Sequence, residues 1–132
     1  MREPKAFVGI GLSSRCSAEE LATLVAAALT EAGPLAVAGL ATLDRRTGHP
    51  ALQALAAARG WAVTGLSPDD LQAQADRIRS GSDRVRALTG SGSVCEAAAL
   101  AAAGPGSLLR LSRRQSAQAT VAVAVCGGNE RR

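Results

Sequence analysis

Three times along this chain a short apolar run gives way to a helix-start signal. A-F-V-G-I-G-L (residues 6–12) leads into S-A-E-E, L-A-V-A-G-L-A (35–41) leads through a polar turn to Pro50, and W-A-V-T (61–64) leads into S-P-D-D. Each run is too short for a stable helix and is bounded by turn residues, which is the signature of a buried strand. Strands that alternate with helices pair in parallel, because each helix carries the chain back to the edge it left. A sheet covered by helices on both faces follows.

The helix signals sharpen this outline. Ser17 and Glu20 have the spacing of a capping box, and Leu21, Leu24, Val25, Ala28, Leu29 and Ala32 then recur on one helical face. Gly33-Pro34 ends that helix. Pro50 suits a first helical position, and the helix over 51–59 stops at Gly60. Ser67-Pro68-Asp69-Asp70 starts another, with Leu71, Ala75 and Ile78 as its buried stripe. A polar connector with a short helical turn around Val85 follows, and Ser93 with Glu96 opens a third capping box before V-C-E-A-A-A-L-A-A-A. Two closing strands, 107–111 and 119–125, are joined by S-R-R-Q-S-A-Q, too short for a crossover and therefore a hairpin link. The expected fold is α/β: a three-layer α/β/α sandwich on a mixed, mainly parallel sheet of about five strands that ends in an antiparallel hairpin. It forms one domain over residues 1–132, with a loose tail from about 127.

Composition narrows the function classes. At 47% hydrophobic and 20% charged residues the chain is ordinary globular material. Aromatics are nearly absent, with one Trp, one Phe and no Tyr. The net charge is +4, and Lys5 is the sole lysine among fifteen basic residues. Arginine forks match carboxylates and phosphates, so an anionic partner is one reading and a general preference for Arg is the other. The charges are scattered and no aromatic surface exists for stacking bases, which argues against nucleic acid. No apolar run spans a membrane; the longest is broken by Glu96, Gly104, Pro105 and Gly106. Cys16, Cys95 and Cys126 form no metal-ligand spacing, so no metal is expected, and their odd number points to free thiols in a reducing cytoplasm.

Two glycine-bearing turns are the candidate anion sites. Gly9-Ile10-Gly11 precedes a helix, but the third glycine of a dinucleotide fingerprint is replaced by Ser14, and no Walker sequence occurs anywhere. Its glycines serve either close packing or an amide cradle around Gly11, Ser14, Arg15 and Ser17. Gly90, Ser91, Gly92 and Ser93 precede a second helix, as an anion cradle or a plain connector. Asp44-Arg45-Arg46 follows the second strand, where ligands of open α/β sheets bind. Asp44, His49 and Glu96 are the candidate acid–base groups; an exposed loop histidine and a capping glutamate are the plainer accounts of the last two. Cys16 and Cys95 lie near helix starts, which can activate a thiol, or are simply small buried residues. From the residues alone this is an anion-binding α/β domain with no particular reaction.

The segments G-I-G-L-S-S-R-C-S-A-E-E (9–20), L-A-T-L-D-R-R (40–46), T-G-S-G-S-V-C-E-A-A-A-L (89–100) and the closing L-L-R-L-S with A-T-V-A-V-A resemble, in order, the family of CobE and the C-terminal domain of CbiG. Where members often carry Lys after the Asp that follows the second strand, this chain has Arg45 and Arg46. The resemblance implies a mixed-sheet α/β domain acting in the corrin branch of tetrapyrrole synthesis. It implies binding of a polycarboxylate corrinoid or precorrin intermediate, as carrier or accessory factor, alongside other cobalamin-pathway enzymes, with no separate cofactor. Two alternatives stand beside it: hydrolysis of a cobalt-precorrin lactone with release of acetaldehyde, and a nucleotide- or nucleic-acid-binding module. A corrin precursor carries many acetate and propionate carboxylates around an apolar ring, which is the chemistry that Arg15, Arg45 and Arg46 with nearby amides would grip.

Overall fold

The computed structural model describes residues 5–74, 94–104 and 106–126. Strand β1 (Lys5–Leu12) runs into helix α1 (Ala18–Ala32), then β2 (Ala36–Leu43), a 3-10 turn (Asp44–Arg46), α2 (Pro50–Arg59), β3 (Ala62–Leu66) and α3 (Pro68–Gln72). Helix α4 (Val94–Ala103) precedes the hairpin of β4 (Leu108–Gln115) and β5 (Ala119–Val125). The strand order is β3-β2-β1-β5-β4. β1 pairs in parallel with β2, and β2 with β3, whereas β5 is antiparallel to both β1 and β4. Four strands therefore point one way and β5 alone opposes them. This is the mixed, mainly parallel sheet that the sequence predicts.

The two faces of the sheet have separate cores. On one, Ala6, Val8 and Ile10 of β1 and Val121 and Val123 of β5 meet Leu21, Val25 and Ala28 of α1 and Leu52 and Leu55 of α2. On the other, Cys95, Ala99 and Leu100 of α4 pack on Ala122 and Ala124 of β5, and Ala97 and Ala98 pack on Ala41 beside Leu71 of α3. Gly9 allows that second approach. A Cβ there would lie 1.9 Å from the Cys95 carbonyl oxygen and 2.7 Å from the Ala99 nitrogen, which no side chain survives. The close-packing account of the Gly9 turn is thus the structural one.

The helix ends follow local rules. Ser17 caps α1 through its hydroxyl, which accepts the Glu20 N–H at 3.0 Å, and Gly33 leaves the helix at φ 92°. Ser67 and Asp70 form a complete capping box on α3. Other expectations shift. β2 begins at Ala36 and continues to Leu43, and β3 starts after Trp61, whose ring lies 5.0 Å beneath the Arg59 guanidinium. The largest correction is in the hairpin. Residues 112–115, expected as part of the link, continue β4. Two irregularities, between Leu109 and Leu111 and between Leu111 and Arg114, let polar S-R-R-Q keep pairing with β5 although it lacks alternation. Ala75, Ile78, the turn around Val85 and the tail from 127 lie outside the described residues.

Candidate functional site

The C-terminal ends of β1, β2, β3 and β4 and the start of β5 share one edge of the sheet. At that edge lies an open hollow of about 300 Å³. Its walls are residues 11–13 at the end of β1, Val94 at the start of α4, and residues 115–120 of the hairpin. Its floor needs a small residue: a Cβ on Gly11 would stand 2.6 Å from the Thr120 hydroxyl.

A chain of hydrogen bonds fastens three turns around the hollow. The Ser13 N–H donates to the Gln118 carbonyl at 2.9 Å, and the Ser13 hydroxyl donates to Gln118 Oε1. The Gln118 N–H donates to Glu20 Oε2 at 2.7 Å, and the Ser116 hydroxyl donates to the same oxygen. On the other side, His49 Nε2 lies 2.9 Å from the Ser13 carbonyl, while Nδ1 accepts the Ala51 N–H at 3.1 Å. A carbonyl only accepts, so Nε2 carries the proton and the imidazole is neutral in this arrangement. One ring thereby caps α2 and ties the turn after β2 to the turn after β1.

These contacts correct two sequence readings. Glu20 was expected to close the capping box on Ser17; its carboxylate instead holds the hairpin turn, and those two donors lower its pKa below the usual carboxylate range. His49 is not a loose loop residue, because both ring nitrogens are engaged. Glu96, 0% exposed, turns an oxygen to the Arg113 N–H at 2.8 Å and so ties α4 to β4. Its expected capping partner, Ser93, lies outside the described residues.

Neither cysteine near a helix start is activated. Burial pushes the Cys95 thiol up to about 12, although the Thr120 side chain hydrogen-bonds it. Burial, and then the charge of Glu20, raise Cys16. Both are buried small residues.

Of the predicted binding residues, Gly11 lines the hollow. Ser14, Arg15 and Ser17 follow it on the same edge, outside the lining, and the Ser17 hydroxyl is used in capping. Asp44, Arg45 and Arg46 stand at the same edge beyond β2, where the Asp44 backbone packs on Gly65: a Cβ there would lie 3.1 Å from Asp44 Cα. Arg15 and Arg45 are exposed and Arg46 half-buried. Among the described residues the side chains of these three arginines have no hydrogen-bond or ion-pair partner. Arg110, by contrast, donates to the Ala32 carbonyl, and Arg114 pairs with Glu31 at 2.6 Å. Gly90, Ser91, Gly92 and Ser93 lie outside the described residues; Val94, which follows them, lines the hollow. No local signal marked Gln115, Ser116 and Gln118, which form the far wall. They are short-range unremarkable polar residues of a hairpin, and only the pairing of β5 with β1 brings them beside Ser13.

The architecture defines a class: a three-layer α/β domain whose strand-end edge carries a polar hollow and, among the described residues, three arginines without side-chain partners. Residues 6–124 match the family model described as cobalamin synthesis G C-terminus, and the chain belongs to that family. It is 40% identical over 121 residues to protein CobE of a Sinorhizobium species, an alignment covering 89% of this chain and 77% of that protein. Its fold matches the crystal structure of CobE, a protein from the cobalamin (vitamin B12) biosynthetic pathway, with TM-score 0.80 and 34% identity over 95% of this chain and 94% of that one. It also matches the cobalamin biosynthesis protein chiG of Agrobacterium tumefaciens, with TM-score 0.73 and 28% identity over 92% of this chain and 98% of that one. The chain is thus a cobalamin-biosynthesis protein of the CobE/CbiG kind. Among the described residues no helix is long and apolar enough to cross a membrane.

Proposed function

We propose that this protein binds a polycarboxylate corrinoid or precorrin intermediate along its strand-end edge, as a carrier or accessory factor of cobalamin biosynthesis. The observation that carries the reading is the placement of Arg15, Arg45 and Arg46, without side-chain partners among the described residues, on the edge that also holds the hollow. A hollow of about 300 Å³ is at the small end of ligand sites and admits a peripheral arm rather than a whole macrocycle. The ring would lie across the open edge, with its carboxylates toward the arginines. A hydrogen bond to a charged group contributes roughly 1.5–3 kcal/mol, so two or three of them with some ring burial support a micromolar complex.

Titration with a series of corrin polyacids tests this through visible absorbance. A saturable spectral change is expected, weakened by salt and by the double substitution Arg45→Ala, Arg46→Ala. No change with any such acid at millimolar concentration would reject the reading.

Lactone hydrolysis draws less support from the geometry. His49 is engaged at both nitrogens, Glu96 is buried against β4, and Asp44 sits in the turn beyond β2. A nucleotide site draws less still, since the glycines of the first turn serve the approach of α4 and Thr120.

A further inference from the structure

The turn after β1 and the turn after β2 each carry arginine, and each is closed by its own backbone. In residues 13–16 the Cys16 N–H donates to the Ser13 carbonyl at 3.2 Å, and the Arg15 N–H donates to the Ser13 hydroxyl oxygen at 3.1 Å. In residues 44–47 the Thr47 N–H and hydroxyl both donate to the Asp44 carbonyl, at 3.3 and 3.0 Å. The Arg46 carbonyl then accepts the His49 N–H at 3.0 Å. Each arginine is thus placed locally within its own turn, but not relative to the other turn. The ladder between β1 and β2 is paired as far as Gly9 and Ala41, and the Thr42 hydroxyl adds a bond of 2.7 Å to the Ile10 carbonyl. Past that point, among the described residues, the hydrogen bond that crosses between the two turns is the one from His49 Nε2 to the Ser13 carbonyl, at 2.9 Å.

Capping alone does not account for an imidazole here. Asn, Asp and Ser are the favoured caps, and each reaches a helix N–H with one short arm. The imidazole brings an acceptor for the Ala51 N–H, Nδ1, and also a donor on the far side of the ring. We propose that His49 is a positioning residue for the ligand edge: through the Ser13 carbonyl on one side and the Arg46 carbonyl on the other, it fixes the spacing of Arg15 from Arg45 and Arg46. Arginines held at a fixed spacing meet the carboxylates of a rigid ring without first ordering two turns, a cost that otherwise weakens binding. This rests on the corrinoid reading above and adds the residue that keeps its arginines in register.

The chain has one histidine, so its ring nitrogens are read without ambiguity. Nitrogen NMR of the ligand-free protein at about pH 8, above the ordinary imidazole range, is expected to show the Nε2–H tautomer. Any other tautomer would overturn the tie. Two substitutions then separate tie from cap. His49→Asn keeps an acceptor for the Ala51 N–H and is too short for Ser13, whereas His49→Gln keeps a longer amide donor and caps poorly. Urea denaturation is expected to rank Asn above Gln in stability. Titration with a corrin polyacid whose arms are all free carboxylates is expected to rank Gln above Asn in affinity, with Asn about three- to tenfold weaker than the unaltered chain. In an Arg15→Ala background, His49→Asn should cost less than about twofold, because the arginine it positions is gone. An affinity order that follows stability, an Asn variant as tight as the unaltered chain, or an equal cost in both backgrounds would overturn the positioning role and leave corrinoid binding intact. An unaltered chain that binds no such polyacid would overturn the corrinoid reading, and this role with it.

Discussion

The two faces of the sheet are built on opposite plans. Beneath α1 and α2 the contacts are made by branched side chains, with Val8, Ile10, Leu40, Val121 and Val123 all fully buried. Beneath α4 they are made by backbone and methyl groups: Gly9 meets the Cys95 carbonyl, and Ala41, Ala97, Ala98, Ala99, Ala122 and Ala124 fill the layer. The first face relies on burying apolar area, and each methylene contributes in proportion. The second relies on closeness, where dispersion contacts are many but no room exists for growth. A chain with two aromatic residues builds a core in this way. The difference also positions the site, because the close approach of α4 brings Val94 down to the hollow.

The contrast breaks most readily at Gly9. Gly9→Ala adds one carbon where the Cys95 oxygen already stands, and it is expected to destabilise the fold by about 3 kcal/mol or more. A loss under about 1 kcal/mol by urea denaturation would show that α4 moves away easily and that the closeness is incidental. Thiol chemistry gives the next largest effect. With its pKa pushed up to about 12 by burial, Cys95 is expected to alkylate at least ~100-fold more slowly than half-buried Cys126 in the native protein. Mass-spectrometric site mapping after a timed iodoacetamide pulse reads this directly; comparable rates would mean that the α4 face opens. On the other face, Ile10→Val removes one carbon from a side chain 0% exposed and should lower stability by only about 1 kcal/mol. A loss as large as that of Gly9→Ala would erase the distinction between the faces.

The smallest effect concerns the edge that both faces share. Glu20 is held below its usual pKa of 4.5 by Ser116 and Gln118, and Glu31 by Arg114. A carboxyl depressed in the folded state contributes stability above its ordinary value and loses it as pH falls through the lower, folded value. Unfolding midpoints should therefore decline below about pH 4.5, and Glu20→Gln should flatten part of that decline while lowering the midpoint slightly at neutral pH. An acid limb identical in the variant would show that the Glu20 clamp on the hairpin contributes nothing to folding.

Much of this molecule was legible along the chain because its signals are local. Ser17, Pro50, Gly60 and the Ser67–Asp70 pair terminate helices through contacts within a few residues. The parallel half of the sheet follows from alternation alone. Polar S-R-R-Q read as a link because bulges abolish the period-two pattern on which strand recognition depends. Glu20 read as a capping residue because Ser17 is its neighbour in sequence, while the groups it binds are not.

By itself, then, the order of apolar runs and caps determined the layers, the crossovers and the edge on which the turns gather. Only the tertiary structure decided what that edge contains. Glu20 and Gln118 are 98 positions apart, and Ser13 and His49 are 36. The first exists only once β5 has inserted beside β1, the second only once β2 has paired with β1, each against the entropy cost of closing the chain between them, so no local rule anticipates them.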